Sequence, residues 1–231
     1  MKISRKSTVD WEKDIYALGA QFNRWPYSPL VSAVMRLTRN QKPSDISVLE
    51  LGCGTGNNIW FLAEEGFRSA GIDFSSTAIE YARTRFEKLG ISCDLKAGDI
   101  STLPWPDNSF DIVLDRGALT QNTYEQIRII LAETQRVLRP TGTFMAFTLK
   151  GLDHPDLKYG QLVSENTYDH FSQGVFRKVG LTSFFDPSSI TQLLSNFGNI
   201  RIQKQTIADD QGKLKDSEYR VTAECRADVT T

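Results

Sequence analysis

The sequence of 231 residues contains few cysteines and histidines and no long hydrophobic run. Its three cysteines, Cys53, Cys93 and Cys225, are far apart and form no Cys-x-x-Cys pair, which argues against a disulfide framework and against a zinc site. No apolar stretch approaches the roughly 20 residues that span a bilayer, and none follows the basic N-terminal residues as a secretory signal would require. These absences predict a cytoplasmic protein with no metal and no membrane association.

Neither positively nor negatively charged residues are in excess. The 27 lysines and arginines nearly balance the 28 aspartates and glutamates, so the formal net charge is −1 at pH 7. A nucleic-acid partner would require a local basic patch, and only the cluster of Lys2, Arg5 and Lys6 approaches one. We therefore expect no nucleic-acid partner.

From residue 47 onward, short apolar segments alternate with segments of helical periodicity. Thr77 and Glu80 have the spacing of a capping box, and they predict the start of the helix that follows the second strand. A later helix is predicted to begin after Asp186, which precedes a proline, and to extend to Phe197. The strands are predicted at 47–51, 69–73, 92–97, 110–115, 143–149, 200–207 and 217–225, with a turn at 209–212 between the last two.

This alternation predicts an α/β fold, in which a seven-stranded, mostly parallel sheet carries helices on both faces and ends in an antiparallel hairpin. Residues 1–44, whose apolar side chains from Trp11 to Phe22 recur at helical spacing, are predicted to form an N-terminal helical cap. Residues 45–231 form the predicted core. The aromatic-rich stretch 151–185 breaks the alternation and is predicted to be a substrate-side insert. In such sheets, ligands bind at the carboxyl ends of the strands.

A glycine-rich turn, Glu50-Leu51-Gly52-Cys53-Gly54-Thr55-Gly56, follows the first strand. Glycine permits a sharp turn and lets a ligand approach the backbone without meeting a Cβ atom. A dinucleotide fingerprint has the pattern G-x-G-x-x-G, whereas the third glycine here comes one residue early. The acidic Glu50 is unfavourable for a pyrophosphate and suits a cationic ligand. By itself, the turn is also compatible with a generic α/β protein.

The turn and the segments after it resemble the motifs of class I, or Rossmann-like, S-adenosylmethionine-dependent methyltransferases of the small-molecule type. Four later segments carry the same resemblance, although Pro-Thr-Gly replaces the family's usual Pro-Gly-Gly in the last of them. They are Gly71-Ile72-Asp73-Phe74-Ser75, Ala97-Gly98-Asp99-Ile100, 110–115 and 136–142. The resemblance covers about residues 45–150. It implies a Rossmann-like fold, methyltransferase activity, S-adenosylmethionine as cofactor and S-adenosylhomocysteine as product.

A carboxylate at the end of the second strand, Asp73, can accept hydrogen bonds from both hydroxyls of a ribose. The same residue could instead cap the next helix. The resemblance implies that the other cofactor contacts come from Glu50 at the methionine end, Gly52 and Gly54 beneath the cofactor, Phe74, Asp99 and Ile100 around the adenine, Asp115 facing the methyl group, and Trp25 as a cover.

The acceptor is predicted to be a small polar molecule methylated on oxygen or nitrogen, such as a sugar or a secondary-metabolite intermediate. His154 and His170 lie in the insert, and each is either a general base for a hydroxyl acceptor or an ordinary surface histidine. Arg116 could bind an acidic acceptor or pair with Glu165. The aromatic residues of the cap and the insert could form the acceptor pocket or pack among themselves; they are Trp25, Tyr27, Tyr159, Tyr168 and Phe171.

Two other functions remain compatible with the sequence. One is transfer of a different group from S-adenosylmethionine or its decarboxylated form, for which the acidic residues of the insert would suit a polyamine. The other is a non-catalytic protein that binds the cofactor.

Overall fold

The computed structural model describes residues 7–226, so the basic cluster Lys2, Arg5 and Lys6 lies outside the described residues. The strands are β1 (Ser47–Leu51), β2 (Arg68–Asp73), β3 (Asp94–Ala97), β4 (Phe110–Arg116), β5 (Leu138–Lys150), β6 (Gln161–Ser164), β7 (Thr167–Asp169), β8 (Thr182–Ser183), β9 (Phe197–Ala208) and β10 (Leu214–Cys225). The α-helices are α1 (Ser28–Leu37), α2 (Asn57–Glu64), α3 (Ser76–Leu89), α4 (Tyr124–Val137) and α5 (Pro187–Leu193).

The predicted seven-stranded sheet is confirmed. Its strands lie in the order β3-β2-β1-β4-β5-β10-β9. The first five in that order are parallel, and β10 pairs antiparallel with both β5 and β9. From β1 to β3 successive strands are added on one side of β1, whereas β4 and β5 are added on its other side, so the strand order reverses between β1 and β4. At such a switch point a crevice opens at the carboxyl ends of the strands.

Helices cover both faces of the sheet, and β1 shows how the sequence directs this. Val48 faces the cluster that includes Leu30 of α1 and Ile59 of α2, whereas Leu49 faces the cluster that includes Tyr124 of α4. Alternate residues of a strand point to opposite faces, so a strand buried on both sides is apolar at successive positions. This burial holds the carboxyl end of β1, and the turn that follows it, in one place.

The N-terminal cap and two helix boundaries differ from the prediction. The only helical part of residues 7–27 is a π-helix, Trp11–Tyr16, because Gly19 and Gln21 then take positive φ angles of 72° and 60°. Helix α3 is capped by Ser75, whose hydroxyl accepts the N–H of Ala78, and not by Thr77. The cap at Asp186 is confirmed, but α5 ends at Leu193.

The insert folds around its own small core. Strands β6, β7 and β8 form an antiparallel sheet over a cluster of buried aromatic side chains: Phe171, Phe176 and Phe184. The N-terminal residues are attached to it, since the backbone N–H of Thr8 donates to Asp169 at 2.9 Å and the N–H of Leu181 donates to Ser7 at 3.0 Å. No helix between residues 7 and 226 is long and apolar enough to pass through a bilayer.

Candidate functional site

A cleft with about 880 Å³ of empty space, its open mouth included, lies at the carboxyl ends of β1, β2 and β4. Residues of the N-terminal segment, including Trp11, Tyr16 and Gln21, form one wall. Of the residues predicted from the sequence, those that line the cleft are Glu50, Gly52, Gly54, Asp73, Phe74, Ile100 and Arg116.

The three glycines of the turn are required both by backbone conformation and by close packing. Gly52, Gly54 and Gly56 have φ angles of +60°, +52° and +75°. A Cβ atom on Gly54 would lie 2.7 Å from the hydroxyl oxygen of Tyr16, and one on Gly56 would lie 2.8 Å from the Phe86 ring. The first two glycines therefore shape the cleft, whereas the third lets α3 pack closely against the turn.

We expect Gly56→Ala to reduce the free energy of unfolding more than Gly212→Ala does. Gly212 has nearly the same φ, +77°, but its Cβ would meet no atom within 4 Å. Both variants incur the cost of left-handed backbone, about 1–2 kcal/mol. Only Gly56→Ala adds the cost of overpacking against Phe86, about 1–3 kcal/mol. Urea unfolding measures both, and equal losses would contradict this packing role for Gly56.

Asp73 joins the glycine turn to the start of α3. Its carboxylate accepts the backbone N–H of Gly54 and that of Ser75, each at 2.9 Å, and the residue is 5% exposed. The side chain thus lies at the bottom of the cleft beside Phe74, whose ring is partly exposed there. Asp73 thus braces the loop before α3, whose cap is Ser75, and its contact with a ribose stays a prediction.

Glu50 is the most unusual ionisable group in the cleft. It is 2% exposed, one carboxylate oxygen accepts the Asn58 side-chain N–H at 2.6 Å, and the other has no hydrogen-bond partner among the described residues. Burial raises its pKa to about 8, against the lowering effect of the Asn58 hydrogen bond and the Arg116 charge. A cationic donor placed against the second oxygen would satisfy it and favour the ionised form.

Asp115 lies behind the cleft. It is fully buried, and its carboxylate accepts the backbone N–H of Leu119 at 3.0 Å. Burial raises its pKa to about 7. The residues that reach the cleft are Gly117 and Ala118 of the turn after β4. Asp115 was expected to face the methyl group, but it does not line the cleft. It instead holds the turn whose residues form the wall, since alternate residues of β4 point to opposite faces of the sheet.

Two of the other predicted cofactor residues do not line the cleft. Trp25 is 67% exposed, and its ring packs beneath the Arg24 guanidinium at 4.9 Å. Its contribution is its carbonyl oxygen, which accepts the side-chain N–H of Asn57 at 2.8 Å. Asp99 is exposed and accepts the backbone N–H of Ser101, so it braces the turn after β3 beside the cleft-lining Ile100.

Neither histidine is brought to the cleft. His154 is 4% exposed, lies 3.2 Å from the Asp216 carboxylate and packs edge-on against Phe176. His170 is exposed at the end of β7, and its backbone N–H donates to Asp169. The aromatic residues Tyr159, Tyr168 and Phe171 likewise pack in the core of the insert. The side chains of His154, Tyr159, Tyr168 and Phe171 therefore support the insert, whereas His170 lies at its surface.

Sequence reasoning missed two residues that organise the cleft. The Tyr16 hydroxyl lies against Gly54, and burial together with the nearby Asp73 charge raises its pKa well above the ordinary value, so it stays neutral. Asn58 connects Glu50 to the N-terminal segment, because its side-chain oxygen accepts the backbone N–H of Tyr27 at 2.8 Å. The two asparagines at the start of α2 could have indicated Asn58, whereas no pattern in the sequence indicated Tyr16.

The comparisons with known proteins identify a domain family. A family model described as a methyltransferase domain matches residues 48–142, from β1 into β5. A fatty-acid O-methyltransferase of Mycolicibacterium smegmatis is 39% identical over 42% of this chain and 35% of its own length. A tRNA N(3)-cytidine methyltransferase of Gallus gallus is 28% identical over 78% of this chain and 50% of its own. The first three curated relatives are matched over 35%, 37% and 56% of their lengths.

Solved structures share the fold. A methyltransferase of Methanosarcina mazei has a TM-score of 0.69 at 22% identity, over 83% of this chain and 98% of its own. A 1,6-didemethyltoxoflavin-N1-methyltransferase of Burkholderia thailandensis, solved with S-adenosylhomocysteine, has a TM-score of 0.63 at 20% identity, over 86% and 77%. Because the domain match covers the glycine turn and the switch point of this sheet, residues 48–142 are a methyltransferase domain of the class I, or Rossmann-like, S-adenosylmethionine-dependent type.

Proposed function

We propose that this protein binds S-adenosylmethionine in the cleft and transfers its methyl group to a small-molecule acceptor, leaving S-adenosylhomocysteine. The observation that carries the proposal is the buried Glu50 carboxylate, which lines the cleft together with the glycine turn and has one oxygen without a hydrogen-bond partner in residues 7–226. The cofactor carries a sulfonium and an ammonium group, and an unpaired buried carboxylate is costly unless a cation or donor meets it.

The residues in the cleft fit the rest of the cofactor. Glu50 would hold the methionine end, and Asp73 lies one strand away, where its oxygens can accept from ribose hydroxyls. Phe74 and Ile100 offer apolar surface for an adenine ring. Gly52 and Gly54 leave the backbone open beneath it. The toxoflavin methyltransferase with bound S-adenosylhomocysteine supports this assignment through its common fold.

Methyl transfer requires little chemistry from the residues of this chain. The cofactor, when bound, supplies an already activated methyl group. The residues of the cleft hold the two reactants in line, and proximity of this kind is worth roughly 7–11 kcal/mol. The N-terminal segment, with Trp11 and Tyr16 in its wall, excludes water from the reacting groups. Positive charge disappears from sulfur during the reaction, so a water-poor site favours it.

The relatives of this chain differ in the acceptors that they methylate. The named relatives include enzymes for a fatty acid and for a tRNA cytidine, so the comparisons do not support the expectation that excluded nucleic acid. We retain a small molecule, methylated on oxygen or nitrogen, as the proposed acceptor, because Arg116 is the one lysine or arginine of residues 7–226 that lines the cleft, whereas a nucleic acid would require a basic patch. Residues 7–44, the described part of the predicted cap, act as a cap and 151–185 as a neighbouring insert in this arrangement.

The proposal predicts that the purified protein binds S-adenosylhomocysteine in the micromolar range. Calorimetry measures the affinity. Incubation with S-adenosylmethionine and an acceptor library should then release S-adenosylhomocysteine. Release of methylthioadenosine would indicate transfer of a different group, binding without any turnover across the library would favour a non-catalytic role, and absence of binding would contradict the proposal.

A further inference from the structure

Arg116 is a cation in the cleft that forms no salt bridge with a carboxylate of residues 7–226. It is the one lysine or arginine that lines the cleft within residues 7–226, and no carboxylate of those residues lies within 4 Å of its guanidinium. Glu165, the partner considered from the sequence, instead pairs with Arg128 at 2.9 Å. The guanidinium of Arg116 is therefore available to an anion that enters the cleft.

An aromatic platform holds this guanidinium in place. Its carbon lies 4.9 Å from the centroid of the Tyr27 ring. Tyr27 is anchored at both ends, since its backbone N–H donates to Asn58 at 2.8 Å and its hydroxyl lies 3.2 Å from the Glu218 carboxylate. This cation–π contact does not use the N–H groups of the guanidinium as hydrogen-bond donors to a carboxylate, and two of those groups side by side match the two oxygens of a carboxylate.

The nearby acids do not neutralise Arg116. Glu218 is engaged by Lys150 at 3.1 Å and by the Tyr27 hydroxyl. Glu50 is assigned to the ammonium group of the proposed cofactor, which is its counter-ion in the complex that the acceptor enters. Asp115 is buried behind the wall of the cleft. The local field therefore favours an anionic acceptor at neutral pH.

The cleft also contains no histidine among the residues described, since His154 and His170 belong to the insert. A hydroxyl acceptor needs a base to remove its proton during methyl transfer. A carboxylate is already ionised at neutral pH and needs none. Its oxygen can attack the methyl carbon directly while the carbon–sulfur bond breaks and its electron pair passes to sulfur, giving a neutral methyl ester and a neutral thioether.

Building on the proposed function, we infer that the methyl acceptor is a carboxylic acid whose carboxylate binds the in-plane N–H groups of Arg116 above the Tyr27 ring, and that the product is a methyl ester. Arg116 is thus the residue that binds the acceptor.

Matched probe pairs test this inference with the S-adenosylhomocysteine complex: octanoate against octanamide, and benzoate against benzamide. By calorimetry, we expect at least one carboxylate to bind ten times more tightly than its amide. Arg116→Gln should abolish that preference and change the affinity for S-adenosylhomocysteine less than threefold. Arg116→Lys, which keeps the positive charge but loses the paired N–H donors of the guanidinium, should retain part of the preference.

Arg24→Gln is the matched control, because Arg24 also stacks on an aromatic ring at 4.9 Å but does not line the cleft; it should keep the full preference. With labelled S-adenosylmethionine, the product of a carboxylate probe should release methanol in mild alkali. Three results would overturn the inference: no carboxylate preference, an alkali-stable product, or a tenfold loss of S-adenosylhomocysteine affinity in Arg116→Gln, which would place Arg116 on the cofactor's own carboxylate. If the wild-type protein did not bind S-adenosylhomocysteine, the proposed function would fail first.

Discussion

Replacing Asp73 by alanine should weaken the binding of S-adenosylhomocysteine at least tenfold. The proposed contacts of Asp73 are hydrogen bonds from two ribose hydroxyls to a charged acceptor, and each such bond is worth roughly 1.5–3 kcal/mol. Loss of a single one already corresponds to about a tenfold change in the dissociation constant. Calorimetry on the wild type and the Asp73→Ala variant measures the difference.

The substitution also has a structural cost, so affinity alone does not test the ribose contact. The carboxylate accepts the N–H groups of Gly54 and Ser75, and an unsatisfied buried donor costs about 1–3 kcal/mol. The 2′-deoxy analogue of S-adenosylhomocysteine separates the two effects. Wild-type protein should bind the deoxy analogue more weakly than the parent compound, and Asp73→Ala should bind both equally. A persistent preference for the 2′-hydroxyl in the variant would remove Asp73 from the ribose site.

Replacing Glu50 by glutamine should stabilise the protein above neutral pH and impair cofactor binding. The folded-state pKa of Glu50 is about 8, against an ordinary value of 4.5, because burial disfavours its charge. Between these two values the folded state holds the proton that the unfolded state has lost, so the free energy of unfolding falls as pH rises. Glutamine keeps an acceptor for Asn58 and does not ionise.

We therefore expect Glu50→Gln to raise the free energy of unfolding at pH 8 by roughly 2–4 kcal/mol, and to change it little at pH 4.5. Urea unfolding across this range measures the effect. A residual decline with pH should remain, because the pKa of Asp115 is also raised, to about 7. Asp115→Asn is the matched variant, and it should remove a separate part of the slope. A Glu50→Gln curve parallel to that of the wild type would show that Glu50 is ionised in the unliganded protein.

The same substitution should weaken S-adenosylhomocysteine binding at least tenfold, since the ligand's ammonium group loses its charged partner. In the wild type at pH 7, that ammonium group should ionise Glu50 and release a proton. The measured binding enthalpy should then vary with the ionisation enthalpy of the buffer. This dependence should diminish in Glu50→Gln. Binding that is stronger in the variant, or a buffer dependence of unchanged size, would contradict the role of Glu50 at the methionine end.

Several features of the site could be predicted because their signals are local in the chain. The turn of Gly52, Gly54 and Gly56 needs residues that adopt positive φ, and Asp73 ends a strand next to it in the sheet. Strand and turn are recognisable from a few successive residues. The residue that caps a helix was more difficult to predict, although this signal is also local. Thr77 has the right spacing to Glu80, yet Ser75 caps α3, because each of several successive small polar residues can act as the cap.

Other features depend on residues that are distant in sequence. His154 is directed to Asp216 by the pairing of β10 with β5, so its burial could not be inferred from its own neighbours. Tyr27 becomes a platform for Arg116 only because the N-terminal segment crosses the carboxyl ends of β4 and β5. The strands of the insert have two to four residues, too few to show a periodicity.

The sequence by itself determined the α/β class, the seven-stranded sheet and the position of the cofactor turn, because hydrophobic periodicity and glycine conformation act over short stretches of chain. Only the tertiary structure decided which charged groups lie together in the cleft. Within residues 7–226, it buried Glu50 with one oxygen that has no hydrogen-bond partner, kept both histidines away from the cleft and left Arg116 without a carboxylate partner. Burial and charge pairing arise from contacts between distant segments, and they set the chemistry that the cleft can support.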